Sequence, residues 1–156
     1  MSLSPAVSAK PIVPALASIT KALSPYAEPL VRVTTGLFLM PHGAQKLFGW
    51  FGGYGLEATG QFFASKLGLP PQMALLTGLI EFFGGLALAL GFATRAAAAL
   101  VVGMMTVAVI QVHLAKGFFW TDGGFEYPLM WGILALSFVI RGGGRYSLDA
   151  LIGWEI

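Results

Sequence analysis

The chain is 156 residues long, with 56% hydrophobic and 10% charged side chains, a formal net charge of +2 and a mean hydropathy of +0.78. A soluble domain carries about 25% charged residues, so these few cannot clothe a water-exposed surface, and a small positive charge without any basic run gives no nucleic-acid footprint. The absence of cysteine excludes disulfides, thiol relays, iron–sulfur clusters and thiolate-held zinc, leaving any redox chemistry to a bound cofactor or a partner.

Residues 1–28 read as an N-terminal cytoplasmic or interfacial segment. They hold Lys10 and Lys21 but no apolar core of signal-peptide quality, so no cleaved leader is expected. Ile12, Leu16, Ile19 and Leu23 make an apolar stripe at helical spacing, as in a short helix lying on a membrane surface. Residues 29–156 form the transmembrane domain. A helical span takes about 20 mostly apolar residues, and four segments qualify: 29–51, 71–92, 95–114 and 127–140. The fourth is short and is expected to tilt or to thin the bilayer. Between the first two, Phe62, Phe63 and Leu67 predict a second lateral helix ended by Gly68, with Gly60 weakening it. The short turn Gly91-Phe92-Ala93-Thr94 forces the second and third spans into an antiparallel hairpin, and Pro70, Pro71 and Pro128 sit near helix starts, where a missing N–H costs little. The expected fold is an all-α membrane protein, an antiparallel four-transmembrane-helix bundle.

Orientation follows from lysine and arginine placement. Lys10, Lys21, Arg32, Arg95, Arg141 and Arg145 fall on one side, and Lys46, Lys66 and Lys116 on the other. The excess puts both termini in the cytoplasm, in a bacterial-type inner membrane. The ends of the first and third spans also echo each other. His42, Lys46, Trp50, Gly52, Gly53 and Tyr54 recur in order as His113, Lys116, Trp120, Gly123, Gly124 and Phe125. The echo reads either as a two-helix duplication or as coincidence, because Trp and Lys are common at membrane interfaces.

An ionisable group inside a span costs roughly 2.5–3.5 kcal/mol or more at mid-bilayer, so each needs a partner or a purpose. Glu81, in the second span, is the sharpest case. Its helical neighbours Thr77, Gly78, Gly84 and Gly85 are small, a face that admits close approach of another helix. It is read as a proton-handling or ligand-binding carboxylate, or as the partner of Arg32, Lys46 or a histidine. His113, with Gln111 beside it, ends the third span. His42 and Lys46 lie toward the corresponding end of the first, where Lys46 either snorkels or binds. Glu126 precedes the fourth span, within reach of His113, Lys116 or Lys46, or simply favours its helix N-terminus. Glu81 and His113 are the expected catalytic proton carriers, and His42, Lys46, Glu126 and Gln111 the ligand-binding set. Arg32, expected to snorkel, Arg95 and Asp149 are assigned to structure. The polar set suits a quinone head group, with Phe48, Trp50, Phe118 and Phe119 flanking the ring. A haem between His42 and His113 is the less favoured alternative, and no metal-cluster spacing is present.

Several motifs occur in order: Arg32-x3-Gly36, Gly43-x2-Lys46-Leu47, Glu81-x2-Gly84-Gly85, Leu90-Gly91-x2-Thr94-Arg95, His113, Gly124-x-Glu126-Tyr127-x-Leu129 and Gly142-x-Gly144-x2-Ser147-Leu148-Asp149. Together, from about residue 29 to 151, they resemble the DoxX family. The resemblance implies a small four-helix membrane protein. The family takes its name from the small subunit of a thiosulfate:quinone oxidoreductase, and its members are thought to work with partner proteins. The leading expectation is therefore a membrane subunit of a quinone-linked oxidoreductase in the lipid bilayer, with a protein partner or as a homo-oligomer. A non-catalytic scaffold recruiting a redox or stress-response enzyme, and a small-solute or proton pathway, are the competing expectations.

Overall fold

A computed structural model of the chain describes residues 10–155, so residues 1–9 of the expected N-terminal segment lie outside the described residues. Within these limits the protein is all-helical, without strands. Helix α1 spans Pro14–Phe48, α2 Gly55–Leu67, α3 Met73–Leu90, α4 Thr94–Lys116, α5 Glu126–Arg141 and the short α6 Leu148–Ile152. Two helices, α3 and α4, are long and apolar enough to cross a membrane. Much of their apolar surface faces outward: Phe83, Leu100 and Ile110 are each more than half exposed, as are Ile133 and Ile140 of α5.

The break expected near residue 28 is absent. Helix α1 runs unbroken through Pro25, Pro29 and Pro41, although each proline removes an N–H donor from the ladder. At 35 residues it is about 52 Å long, against about 30 Å for a hydrocarbon core. The stripe of Leu16, Ile19 and Leu23 therefore continues the same rod, fully helical and exposed. The expected lateral helix is present as α2, and Gly68 closes it in the left-handed conformation (φ 64°).

Helices α1 and α3 meet through glycines. A Cβ on Gly43 would lie 2.5 Å from the Phe82 nitrogen and 2.8 Å from the Gly78 carbonyl, and one on Gly85 would lie 2.8 Å from the Gly36 carbonyl. Backbone touches backbone there, so any larger residue would force the helices apart. Gly84 is different: its nearest neighbour would be Ile80 of its own helix, at 3.8 Å. Helices α4 and α5 pair along their lengths. One core cluster joins Leu39, Val101, Met104, Met105 and Ala135, with Trp131 against it, and a second joins Leu88, Ala98 and Phe138.

One end of the bundle is stitched by polar side chains that close helix termini, which otherwise leave four unpaired backbone groups each. Arg32 is 1% exposed. Rather than snorkelling, it donates to the Leu88 and Ala89 carbonyls at the end of α3 (2.8 and 2.7 Å) and to the Tyr146 carbonyl (2.6 Å). Arg95 donates to the Val139 and Ile140 carbonyls near the end of α5, both at 2.7 Å. Asp149 accepts from the Ala93 and Thr94 N–H groups (2.7 and 2.9 Å) and from the Thr94 hydroxyl (2.6 Å), capping the start of α4. Burial opposes ionisation of Asp149, but the Thr94 and Ala93 hydrogen bonds and the Arg32 charge outweigh it and hold its carboxyl below the ordinary aspartate value. All three side chains thus satisfy backbone groups at helix ends.

Candidate functional site

Glu81 opens a π-helical turn, Ile80–Gly84, inside α3. A second such turn, Ala108–His113, lies in α4 and ends on His113. Turns of this kind insert a residue into the helical period and are frequent at functional sites. Both proton-carrying candidates therefore sit where the helix is locally rewound. Glu81 is buried, and its Oε2 accepts from Lys46 Nζ at 2.5 Å. Lys46, in the last turn of α1, reaches back into the bundle instead of outward, its ammonium also 3.5 Å from the His42 carbonyl. Of the partners considered for Glu81, the geometry selects lysine. The Gly43–Phe82 approach one turn away brings the two helices close enough for this pairing.

His113 is held by its Nδ1, 2.6 Å from the Gly123 carbonyl. A carbonyl only accepts, so Nδ1 carries the proton and Nε2 remains the basic nitrogen whenever the ring is neutral. Two cavities meet at these side chains. The larger, about 760 Å³, is bounded by His42, Phe38, Trp120, Tyr127 and Trp131. The smaller, about 460 Å³, lies beneath α2 and is bounded mainly by apolar side chains. Lys46, Glu81, Met105, Ala108 and His113 line both, so the three polar side chains form part of a shared wall. Aromatic geometry shapes the larger cavity: Trp120 stacks on Tyr127 with ring centroids 5.4 Å apart, and Tyr127 meets Trp131 edge-on at 6.3 Å. The Trp131 indole donates to the Thr35 carbonyl at 3.3 Å, tying α5 to α1.

The remaining expected site residues lie elsewhere. Glu126 accepts from the Trp120 N–H at 3.1 Å and lines neither cavity, so it shapes the loop rather than touching His113, Lys116 or Lys46. Gln111 is exposed and also lines neither. The aromatics that line the two cavities are not those expected to flank a ring. Phe48 packs on Trp50 and Phe82, Phe118 on Phe119 and Phe125, and none of Phe48, Trp50, Phe118 or Phe119 faces a cavity. Tyr127 and Trp131, one helical turn apart on α5, carried the readable signal.

The echoed helix ends are echoed in backbone form. Trp50 and Trp120 each start a 3₁₀ turn, closed by the Gly53 and Gly123 N–H groups on the respective tryptophan carbonyls, both at 2.9 Å. Gly52 and Gly123 are left-handed (φ 75° and 77°). Gly53 and Gly124 press against the backbone of Gln45 and of Gly117–Phe118. The helices leading to them differ, since α1 runs on past His42 to Phe48 whereas α4 tightens to a 3₁₀ turn directly after His113.

All-helical over the described residues, with two apolar helices of membrane length and a lysine–glutamate pair lining its cavities, the fold is of the kind expected of a membrane-embedded protein. The chain belongs to the DoxX family, whose pattern it matches over residues 29–114. The matched region includes Arg32, His42, Lys46, Glu81 and His113 and stops before Glu126 and Asp149. It is 33% identical over 123 residues to a Bacillus subtilis protein named "Putative oxidoreductase CatD", covering 79% of this chain and 84% of that one. It is 34% identical over 128 residues to an uncharacterized Haemophilus influenzae protein (80% and 90% covered). Against the Escherichia coli "Inner membrane protein YqjF" it is 33% identical over 106 residues (67% and 79% covered). No solved structure matches the chain.

Proposed function

We propose that the chain is an inner-membrane protein crossing the bilayer four times, through α1, α3, α4 and α5, with both termini in the cytoplasm, and that it serves as the membrane subunit of a quinone-linked oxidoreductase. The relatives' names support the setting and the class of reaction. The 16 residues of α5 reach about 24 Å, so this helix crosses only with local thinning of the bilayer. The reading rests on one observation: Lys46, Glu81 and His113 stand together in the wall of an aromatic cavity.

The residues fit a quinone head group. The cavity lies within the usual range for small-molecule sites, and such sites combine apolar walls with a few convergent polar groups. Bound there, a quinone supplies the electron and proton acceptor that the cysteine-free chain lacks. Lys46 would hold the head group as a hydrogen-bond donor, with Glu81 fixing its ammonium in place. His113 holds a proton at Nε2, while its Nδ1–H bond to Gly123 sets the ring orientation. Trp120, Tyr127 and Trp131 would supply the aromatic surface against the ring. With no redox group among its own side chains, the chain would need a partner protein to supply the electrons.

The test is quinone recovered from protein purified in mild detergent. Wild type retains quinone, whereas His113→Ala and the charge-free pair Lys46→Met/Glu81→Gln lose it while keeping their helicity. Wild type free of quinone, yet capturing a soluble enzyme reproducibly, would replace this reading with that of a scaffold. Proton flux in proteoliposomes, abolished by Glu81→Gln, would replace it with a conduction pathway.

A further inference from the structure

The aromatic cavity accounts for a head group but not for the second cavity on the other side of the same wall. That second space has an uneven chemistry. Its polar groups are Lys46, Thr77, Glu81 and His113. The rest of its surface is hydrocarbon, including Phe62, Phe63 and Leu67 of α2 and Leu100 and Val107 of α4. Water enters a cavity only where it finds two to four polar partners, and apolar space stays dry or takes an apolar ligand. Gly103 faces this space, and a Cβ there would meet nothing within 4 Å. Glycine costs an α-helix about 1 kcal/mol relative to alanine, and at this position it serves no helix contact of the kind made by Gly36 or Gly43.

We infer that the cavity beneath α2 holds the isoprenoid tail of the quinone whose head lies in the aromatic cavity. The inference rests on the quinone reading above. The two spaces adjoin: Met105 and Ala108 border both beside the Lys46–Glu81 pair, so the tail of a ligand whose head lies in one has only these side chains to pass to reach the other. A ligand with a flat polar head and a long apolar chain matches the sequence of surfaces from one cavity to the next. Helix α2 then acts as the side wall that separates the chain from bulk lipid, and the site selects tailed quinones over soluble ones.

The Cβ of Gly103→Leu meets no neighbour within 4 Å and its isobutyl group extends into the space, while Gly103→Ala serves as the small control. Detergent-purified full-length protein is titrated with decylubiquinone and with tail-less 2,3-dimethoxy-5-methyl-1,4-benzoquinone, reading quenching of tryptophan fluorescence. Wild type binds the decyl compound more tightly. Gly103→Leu weakens it by about tenfold (about 1.4 kcal/mol), leaves the tail-less compound unchanged, and melts as wild type does. If Gly103→Leu weakens both compounds alike or neither, the tail does not lie beneath α2. Wild type that binds both compounds equally keeps the quinone reading and refutes the tail site. Wild type that binds neither, and that yields a phospholipid on extraction which Gly103→Leu lacks, refutes both and makes the cavity an acyl-chain site.

Discussion

Asp149 offers the most quantitative test of how the bundle end is closed. Its side chain is 5% exposed and accepts three hydrogen bonds, from the Ala93 N–H, the Thr94 N–H and the Thr94 hydroxyl. Hydrogen bonds to a charged group contribute about 1.5–3 kcal/mol each, and an unsatisfied buried donor costs about 1–3 kcal/mol. The two N–H groups belong to the N-cap residue and the first residue of α4, where no intrahelical acceptor exists. Asp149→Ala should therefore cost about 3–5 kcal/mol. Asp149→Asn, which keeps one acceptor oxygen and loses the charge, should cost about 1–3 kcal/mol by the same reasoning. For a chain of this size 1 kcal/mol lowers the melting temperature by roughly 2–4 °C, so alanine should melt at least about 6 °C early in a detergent thermal scan. The pH dependence has a definite sign. Because the folded carboxyl titrates below its ordinary value of 3.8, its contribution is fully present above about pH 4 and is lost as pH falls through the folded value. Asp149→Asn should flatten that acid limb. A melt of Asp149→Ala within about 2 °C of wild type, or an acid limb unchanged in Asp149→Asn, would refute the capping account.

Other consequences are equally specific. Gly43→Ala places a methyl against the Phe82 and Gly78 backbone and should destabilise by about 1–3 kcal/mol, whereas Gly84→Ala, which meets only Ile80, should be neutral or stabilising by up to about 1 kcal/mol; paired melts decide. Ala93 holds a left-handed conformation (φ 44°) that costs a non-glycine residue about 1–2 kcal/mol, so Ala93→Gly should melt at or above wild type, and a clear loss would contradict the strain. Arg32→Lys keeps a charge but cannot serve the Leu88, Ala89 and Tyr146 carbonyls together. It should lower stability by about 2 kcal/mol or more, measured by the same scan.

What was legible in the sequence followed from the strength of the physical signal. The second and third long helices, expected at 71–92 and 95–114, fall at Met73–Leu90 and Thr94–Lys116, because long apolar runs bounded by Gly91 and Pro71 leave few alternatives. The first, expected over 29–51, is part of a longer helix, Pro14–Phe48, that absorbs Pro25 and Pro29. The five-residue α6, capped by the Ser147 hydroxyl on the Ala150 N–H, carries too little periodicity to be read. At the site, Glu81 stood out because an embedded carboxylate demands a partner, and its small-residue neighbours Gly78 and Gly85 pointed toward α1. The choice of Lys46 among the partners considered, the Gly123 carbonyl on His113 and the two π-helical turns were not legible, since they depend on the three-dimensional packing of the helices. Glu126 and Gln111 were drawn in by proximity along the chain, and the loop geometry around Trp120 turns Glu126 away.

The most direct test of the central claim is photolabelling of the detergent-purified protein with an azido-quinone, followed by mapping of the modified peptides. The account predicts labels on the segment carrying Trp120, Tyr127 and Trp131 and on that carrying His42 and Lys46, competed by unmodified quinone and lost in Lys46→Met/Glu81→Gln. Labels confined to the arginine-closed end around Tyr146, or no label that unmodified quinone displaces, would contradict it.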